Sequence, residues 1–296
     1  EGGGTVTDMK FSLWTPASFA TIISDNVVTN SYDDGIDAGY LDSATISRNN
    51  ISNEMPSEET KGWWGPMDNG IYVGTVDQVM VDSNTVDNAN YGIGLYNDNE
   101  STLDSNTLTN IQQIGINVRG DFNQSVVLRD NNVQSEYDGA WFQSGAIDFQ
   151  GVNSFDSLHD GLVFDPGNDE EQQGRLSLVS SEVPSDLSVV GNTFGTTVFN
   201  NQEGFYIRLA NGALFNPGTP TILDARFSTF DGLTPNSFVL PLAQYLELES
   251  KLWDYDDDNT LGQIFFTFIG AVDSNLFKID PSLAGIGGAG PGSVTI

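Results

Sequence analysis

The sequence predicts an all-β chain wound as a single parallel β-helix, with side loops and a C-terminal cap containing a short helix. Three observations carry this. First, an Asn-any-apolar step recurs at Asn26/Val28, Asn49/Ile51, Asn84/Val86, Asn106/Leu108, Asn131/Val133 and Asn192/Phe194. Second, other columns keep register with it. An apolar residue stands three places before each Asn (Ile23, Ile46, Val81, Leu103, Leu128, Val189). A small residue followed by an apolar one comes later: Gly35-Ile36, Gly70-Ile71, Gly92-Ile93, Gly115-Ile116, Ala146-Ile147, Gly204-Phe205. From that Gly to the next apolar site is 11 residues three times running, 35 to 46, 70 to 81 and 92 to 103. Third, Ile71-Tyr72-Val73, Ile93-Gly94-Leu95 and Ile116-Asn117-Val118 place apolar side chains at every second residue, the period of a strand rather than a helix.

A period of 22 to 25 residues is that of a solenoid. Gly, Asn, Asp and Ser separate the strands and tolerate the left-handed corners that a coil requires. A second polar column (Asn30, Asn53, Asn88, Asn110, Ser135, Thr196) marks another corner. No unit buries its own apolar face, but units stacked at the strand spacing of about 4.8 Å fill one core together. Asn in the same corner of successive coils can hydrogen-bond along the stack. A leucine-rich repeat shares the Asn column, but its long helical or Leu-rich segment is absent from this sequence.

Over about residues 19 to 210 these columns resemble the right-handed parallel β-helix repeat of the pectin-lyase-like superfamily, including NosD-type repeat proteins. The resemblance implies a right-handed coil. It implies little about function, because the superfamily holds polysaccharide lyases, glycoside hydrolases, epimerases, tailspikes, adhesins and passive surface proteins.

Charge narrows the function. Lys plus Arg number 10 against 41 Asp plus Glu, a net charge of −31. That argues against nucleic acid and anionic membranes, and against polyanionic sugars unless a metal bridges them. Such a surface suits a saline medium, where screening removes self-repulsion. Cysteine is absent, so neither a disulfide scaffold nor a Cys-type zinc site is present. No apolar run reaches membrane-spanning length. The chain opens at Glu1 rather than Met, which reads as a mature or excised form. Asn50-Ile51-Ser52, Asn99-Glu100-Ser101 and Asn123-Gln124-Ser125 have the form of glycosylation sequons, a form that also arises by chance in an Asn- and Ser-rich chain. Localisation is expected to be extracellular or at a cell surface.

In chain order, residues 1–18 read as a Gly-rich cap or degenerate coil that covers an exposed sheet edge. Residues 19–211 read as the β-helix, with insertions at 54–68, 136–144 and 151–186. The first two carry Trp63, Trp64, Tyr137, Trp141 and Phe142 and fall in the same corner, so they would project on one side. The third holds His159, the only histidine, and an acidic run from Asp165. Residues 212–296 read as a final coil and cap. There Pro241 to Trp253 has a helical apolar stripe, and Leu261 to Phe268 reads as a strand.

Candidate chemistry falls on the outward positions of the strand after each Gly: Asp37/Gly39, Tyr72/Gly74, Gly94/Tyr96, Asn117/Arg119, Asp148/Gln150 and Tyr206/Arg208. A lyase needs a proton acceptor, and a cation or metal to stabilise the anion that forms. Arg119 would be the cation, Asp148 a metal ligand and Tyr96 the acid. The competing reading is a solvated face with an Arg–Asp pair across neighbouring strands. Hydrolysis needs two carboxyl groups about 5 to 10 Å apart, and Asp148 has no evident partner. The paired-Asp and Gly-His-Gly signatures of polygalacturonases are absent. Phe164-Asp165-Pro166-Gly167 resembles the Phe-Asp-Pro-His stretch of alginate epimerases, with Gly167 in place of the His. Trp63, Trp64, Tyr72, Asn117, Trp141, Phe142 and Gln150 are candidates to bind sugar rings or another protein surface. Asp254, Asp256 and Asp258 have the spacing of a calcium loop, or of a solvated acidic turn.

Two functions therefore stand. One is an extracellular structural or adhesive protein that binds carbohydrate, a partner protein or itself. The other is a calcium-assisted polysaccharide lyase or a related carbohydrate-active enzyme.

Overall fold

The computed structural model describes residues 20–31, 33–53, 67–120, 125–165, 194 and 196–200. It also describes the backbone of short strands at Thr5–Val6, Leu176–Val179, Asn192–Thr193, Ile207–Leu209, Thr221–Asp224, Thr229–Asp231 and Phe266–Ile269. The described residues form a parallel β-solenoid. A 9-stranded sheet of short strands, from Val27–Thr29 to Thr229–Asp231 with Thr5–Val6 at its edge, makes one side. A 12-stranded sheet makes the other two, because the long strands Ile36–Ser47 and Met67–Asp82 run through a corner and join both faces. A small sheet joins Asn192–Thr193, Thr221–Asp224 and Phe266–Ile269. No helix among the described residues is long and apolar enough to cross a membrane. The expected cap helix at 241–253 lies outside the described residues.

Inward positions stack residue on residue, which is how the period-two pattern becomes a core. One ladder runs Ile36, Ile71, Ile93, Ile116, Ala140, Leu162, Ile207. Its neighbour runs Ala38, Val73, Leu95, Val118, Phe142, Phe164. On the short-strand side Val28, Ile51, Val86, Leu108, Val133, Phe155 and Phe199 align, all fully buried. The core changes from aliphatic to aromatic toward the later coils, with Phe142 stacked on Phe164 at 5.2 Å and Phe155 on Phe199 at 6.3 Å.

The asparagine column forms a hydrogen-bonded ladder. Asn26, Asn49, Asn84, Asn106 and Asn131 each donate their backbone N–H and their Nδ2 to Oδ1 of the next member, ending on Asn153. From Asn49 on, Nδ2 also donates to a carbonyl of the preceding coil: Ile23, Ile46, Val81, Leu103 and Leu128. The residue before Asn26, Asn49, Asn84, Asn106 and Asn131 turns the corner at positive φ (Asp25, Arg48, Ser83, Ser105, Asp130). These short or polar side chains tolerate that region better than β-branched ones.

Three expectations are corrected. The stretch 136–144 is not an insertion, because Asp138–Phe142 is a regular coil strand paired with Ile114–Arg119. The fifth small–apolar step is therefore Gly139-Ala140 and not Ala146-Ile147. Ala140 beside Phe142 replaces Ile116 beside Val118, so the layer keeps its volume while its pattern changes. The stretch 151–186 is not one long interruption, since Ser154–Ser157, Leu162–Phe164 and Leu176–Val179 continue the sheets. The sixth ladder Asn is Asn153 rather than Asn192, which pairs with Leu223 in the small sheet. Of the 54–68 insertion, Met67 and Asp68 already belong to a strand, with Met67 fully buried. Residues 54–66 lie outside the described set.

One inward ladder carries a carboxylic acid. Leu41 aligns with Val76, and Asp98 follows, 1% exposed, accepting the Val76 N–H at 2.8 Å. Burial pushes its carboxyl up to about 7, against 3.8 ordinarily. Half-buried Asp34 is raised to about 6, also by burial first. Both keep a proton in the folded chain where the unfolded chain has released it. The folded state then binds more protons, and stability falls as pH rises from about 4 to about 7. Asp98→Asn keeps the acceptor for Val76 and removes the charge. Its urea midpoint should match the parent's near pH 4 and exceed it near pH 8. An identical pH profile in the two proteins would remove Asp98 as the origin.

Candidate functional site

Two outward ladders define the candidate face. The first runs Asp37, Tyr72, Gly94, Asn117, Trp141, Val163, and the second Gly39, Gly74, Tyr96, Arg119. Tyrosine and glycine alternate diagonally, so each ring takes up the space beside the glycine two residues away. A Cβ on Gly74 would sit 2.8 Å from the Tyr72 hydroxyl, and one on Gly94 would sit 2.7 Å from the Tyr96 ring. The two rings stack at 4.8 Å between centroids. Such rings cover backbone that glycine leaves bare.

Polar groups beside the rings are fixed. Asn117 is fully buried; its Nδ2 donates to the Tyr96 hydroxyl at 3.3 Å, and its Oδ1 accepts from Arg119 Nε at 3.0 Å. The Arg119 guanidinium lies 5.8 Å from the ring centroids of both Tyr91 and Trp141, within cation–π range. Burial raises the Tyr72 and Tyr96 hydroxyls above their ordinary value, with Arg119 opposing the shift at Tyr96. Both remain neutral phenols, able to donate or accept. Among the described residues, the buried Trp141 Nε1 and Asn69 Oδ1 have no hydrogen-bond partner.

The fold thus gathers five of the residues named from sequence: Tyr72, Tyr96, Asn117, Arg119 and Trp141. Asp148 and Gln150 fall elsewhere. Asp148 stands opposite Val127 and Gln150 opposite Arg129, in ladders separate from that of Arg119. Asp148 accepts from Gln150 Nε2 at 2.8 Å, while Gln150 Oε1 accepts from Arg129 at 2.8 and 3.2 Å. Arg129 also pairs with Asp104 at 3.1 Å. The expected outward pair Asp148/Gln150 is therefore replaced by Trp141 at the Asn117 step. Phe142 is not on a binding loop but in the core, fully buried, because it occupies the inward position next to Trp141. Trp63, Trp64, Asp254, Asp256 and Asp258 lie outside the described residues. Sequence reasoning missed Tyr91; Gly139, the fifth corner glycine, was the signal that would have set Trp141 in register.

Fold and face together define the class: a right-handed parallel β-helix with an aromatic and polar strip on one side. Residues 13–157 match the family described as "Right handed beta helix region", just under half of the chain. The resemblance to pectin-lyase-like, NosD-type repeats agrees with this at the level of the fold. Comparisons with curated proteins and with solved structures found no match.

Proposed function

We propose that this is an extracellular or cell-surface β-helical protein with a structural or adhesive role, holding a neutral carbohydrate on the Tyr72–Tyr96–Asn117–Arg119–Trp141 strip. The observation that carries this reading is the stacked tyrosine pair seated on glycines beside an arginine fixed by a buried asparagine. Aromatic rings suit the apolar faces of sugars, and pinned donors suit their hydroxyls. The charge of −31 favours a neutral ligand over a polyanion. Lyase chemistry is the weaker reading, since Asp148, the expected metal ligand, is not in the ladder of Arg119.

The test is titration of the protein with a panel of neutral and anionic oligosaccharides, followed by calorimetry. Tyr96→Ala and Trp141→Ala should each weaken a bound neutral glycan at least about tenfold, some 1.4 kcal/mol. Equal affinity in both variants would place any binding elsewhere. Polymer chain length would be followed in parallel, with calcium and with chelator. Shortening abolished in Arg119→Ala would replace this reading with the enzymatic one. Binding of a second copy or another protein, and of no glycan, would assign the strip to protein contacts.

A further inference from the structure

The residues that precede the corner glycines form a column of their own: Asp34, Asn69, Tyr91, Ile114, Asp138, Asp160. The register pairs Asn69 with Tyr91, Tyr91 with Ile114, and Ile114 with Asp138. Gly139 N–H on Asp160 O, and Asp160 N–H on Asp138 Oδ1, continue it. At the first step an amide follows an acid, and Asn69 donates from both N and Nδ2 to Asp34 Oδ1. At the last step two acids follow one another. Their side chains are 2% and 0% exposed. Like charges on neighbouring strands repel, and burial removes the water that would screen them.

The only histidine of the chain sits at this step. His159 Nδ1 lies 3.0 Å from Asp138 Oδ1 and 3.3 Å from Asp160 Oδ2. Its ring is stacked on Tyr137 at 4.5 Å and 5° between planes, which fixes the direction of Nδ1. One ligand atom from each of the three residues lies within 4.8 Å of the others. A protonated imidazole would neutralise one of the two carboxylates; a dication neutralises both. The 3.0 and 3.3 Å separations also match the edges of a coordination shell whose metal–ligand bonds are about 2.0 to 2.1 Å.

We propose that Asp138, His159 and Asp160 form a binding site for a first-row divalent transition metal of the zinc type. One nitrogen and two carboxylate donors suit such an ion, whereas calcium takes oxygen donors throughout. Half-buried His159 leaves an entry path, and the column's place at the start of the Trp141 strand puts the ion beside the binding face.

A single histidine makes the test direct. Zinc chloride would be titrated into ¹⁵N-labelled protein while the imidazole nitrogens are followed by NMR and melting is measured alongside. One equivalent should shift the Nδ1 resonance and raise Tm. Asp138→Asn and Asp160→Asn should each weaken zinc at least about tenfold, and calcium should bind more weakly than zinc. The Asp160→Asn chain is expected to fold, because the acid–amide pair it creates already exists at Asp34–Asn69. No imidazole shift up to about 1 mM zinc would overturn the proposal. So would unchanged affinity in folded Asp160→Asn, which would mark adventitious binding at the histidine alone. Calcium binding as tightly as zinc would overturn the transition-metal assignment.

Discussion

Asn106→Ala should lower the stability of the β-helix by about 4 kcal/mol, far more than a surface substitution. Asn106 is fully buried in the middle of the asparagine ladder. Its Oδ1 accepts from Asn84 N and Nδ2 at 3.0 and 3.1 Å, and its Nδ2 donates to Val81 O at 2.8 Å and Asn131 Oδ1 at 3.0 Å. Alanine strands the Asn84 N–H, one Asn84 amide hydrogen and a lone pair of Val81 in a corner that is closed to water. Each orphaned buried group costs about 1 to 3 kcal/mol. Half-buried Asn26, at the end of the ladder, donates its Nδ2 to Ser24 O and Asn49 Oδ1, so Asn26→Ala should cost about 1 kcal/mol. Urea unfolding of both variants checks the contrast. Equal losses would mean that the ladder does not act through burial.

Gly115→Ala is expected to cost about 3 kcal/mol for the opposite reason, excess atoms rather than missing bonds. A Cβ there would lie 2.5 Å from the carbonyl oxygen of Gly139 and closer still to Val133 Cγ1. The side chain of Val133 can be cut back, but the Gly139 carbonyl belongs to the next coil's backbone. Gly115→Ala combined with Val133→Ala should therefore recover only part of the loss, once the cost of Val133→Ala alone is subtracted. Full recovery would show that the carbonyl contact is not limiting. Gly74→Ala is the milder relative: the three atoms nearest the added Cβ all belong to the Tyr72 side chain, so its effect should appear in ligand binding before stability.

Both effects trace to columns that are visible in the linear chain. The asparagine column, the corner glycines and the three inward columns are local facts: each residue type is demanded by its own corner or its own strand. The period of two and the recurring 11-residue spacing placed Tyr72, Tyr96, Asn117 and Arg119 on one outward face without any structure. What could not be read locally is how many residues each corner consumes. Between Arg129 and Asn132 the chain takes one corner, and between Gln150 and Ser154, paired with the same two residues, it takes one residue more. That extra residue displaced Asn153 from the sequence pattern.

The same uncertainty hid the fifth coil. Gly139-Ala140 lacks the branched residue that marks the other copies, and only the stacked core shows that Phe142 supplies the missing volume. Register then decided the site. It put Trp141, rather than Asp148, beside Asn117, and it stacked Asp160 on Asp138 with His159 between them. The sequence by itself determined the coil, its core columns and its ladder, because strand period and corner chemistry are properties of short segments. Tertiary structure alone decided which residue of one coil lies over which residue of the next, because that alignment is fixed by packing the corners and filling the core across the whole stack.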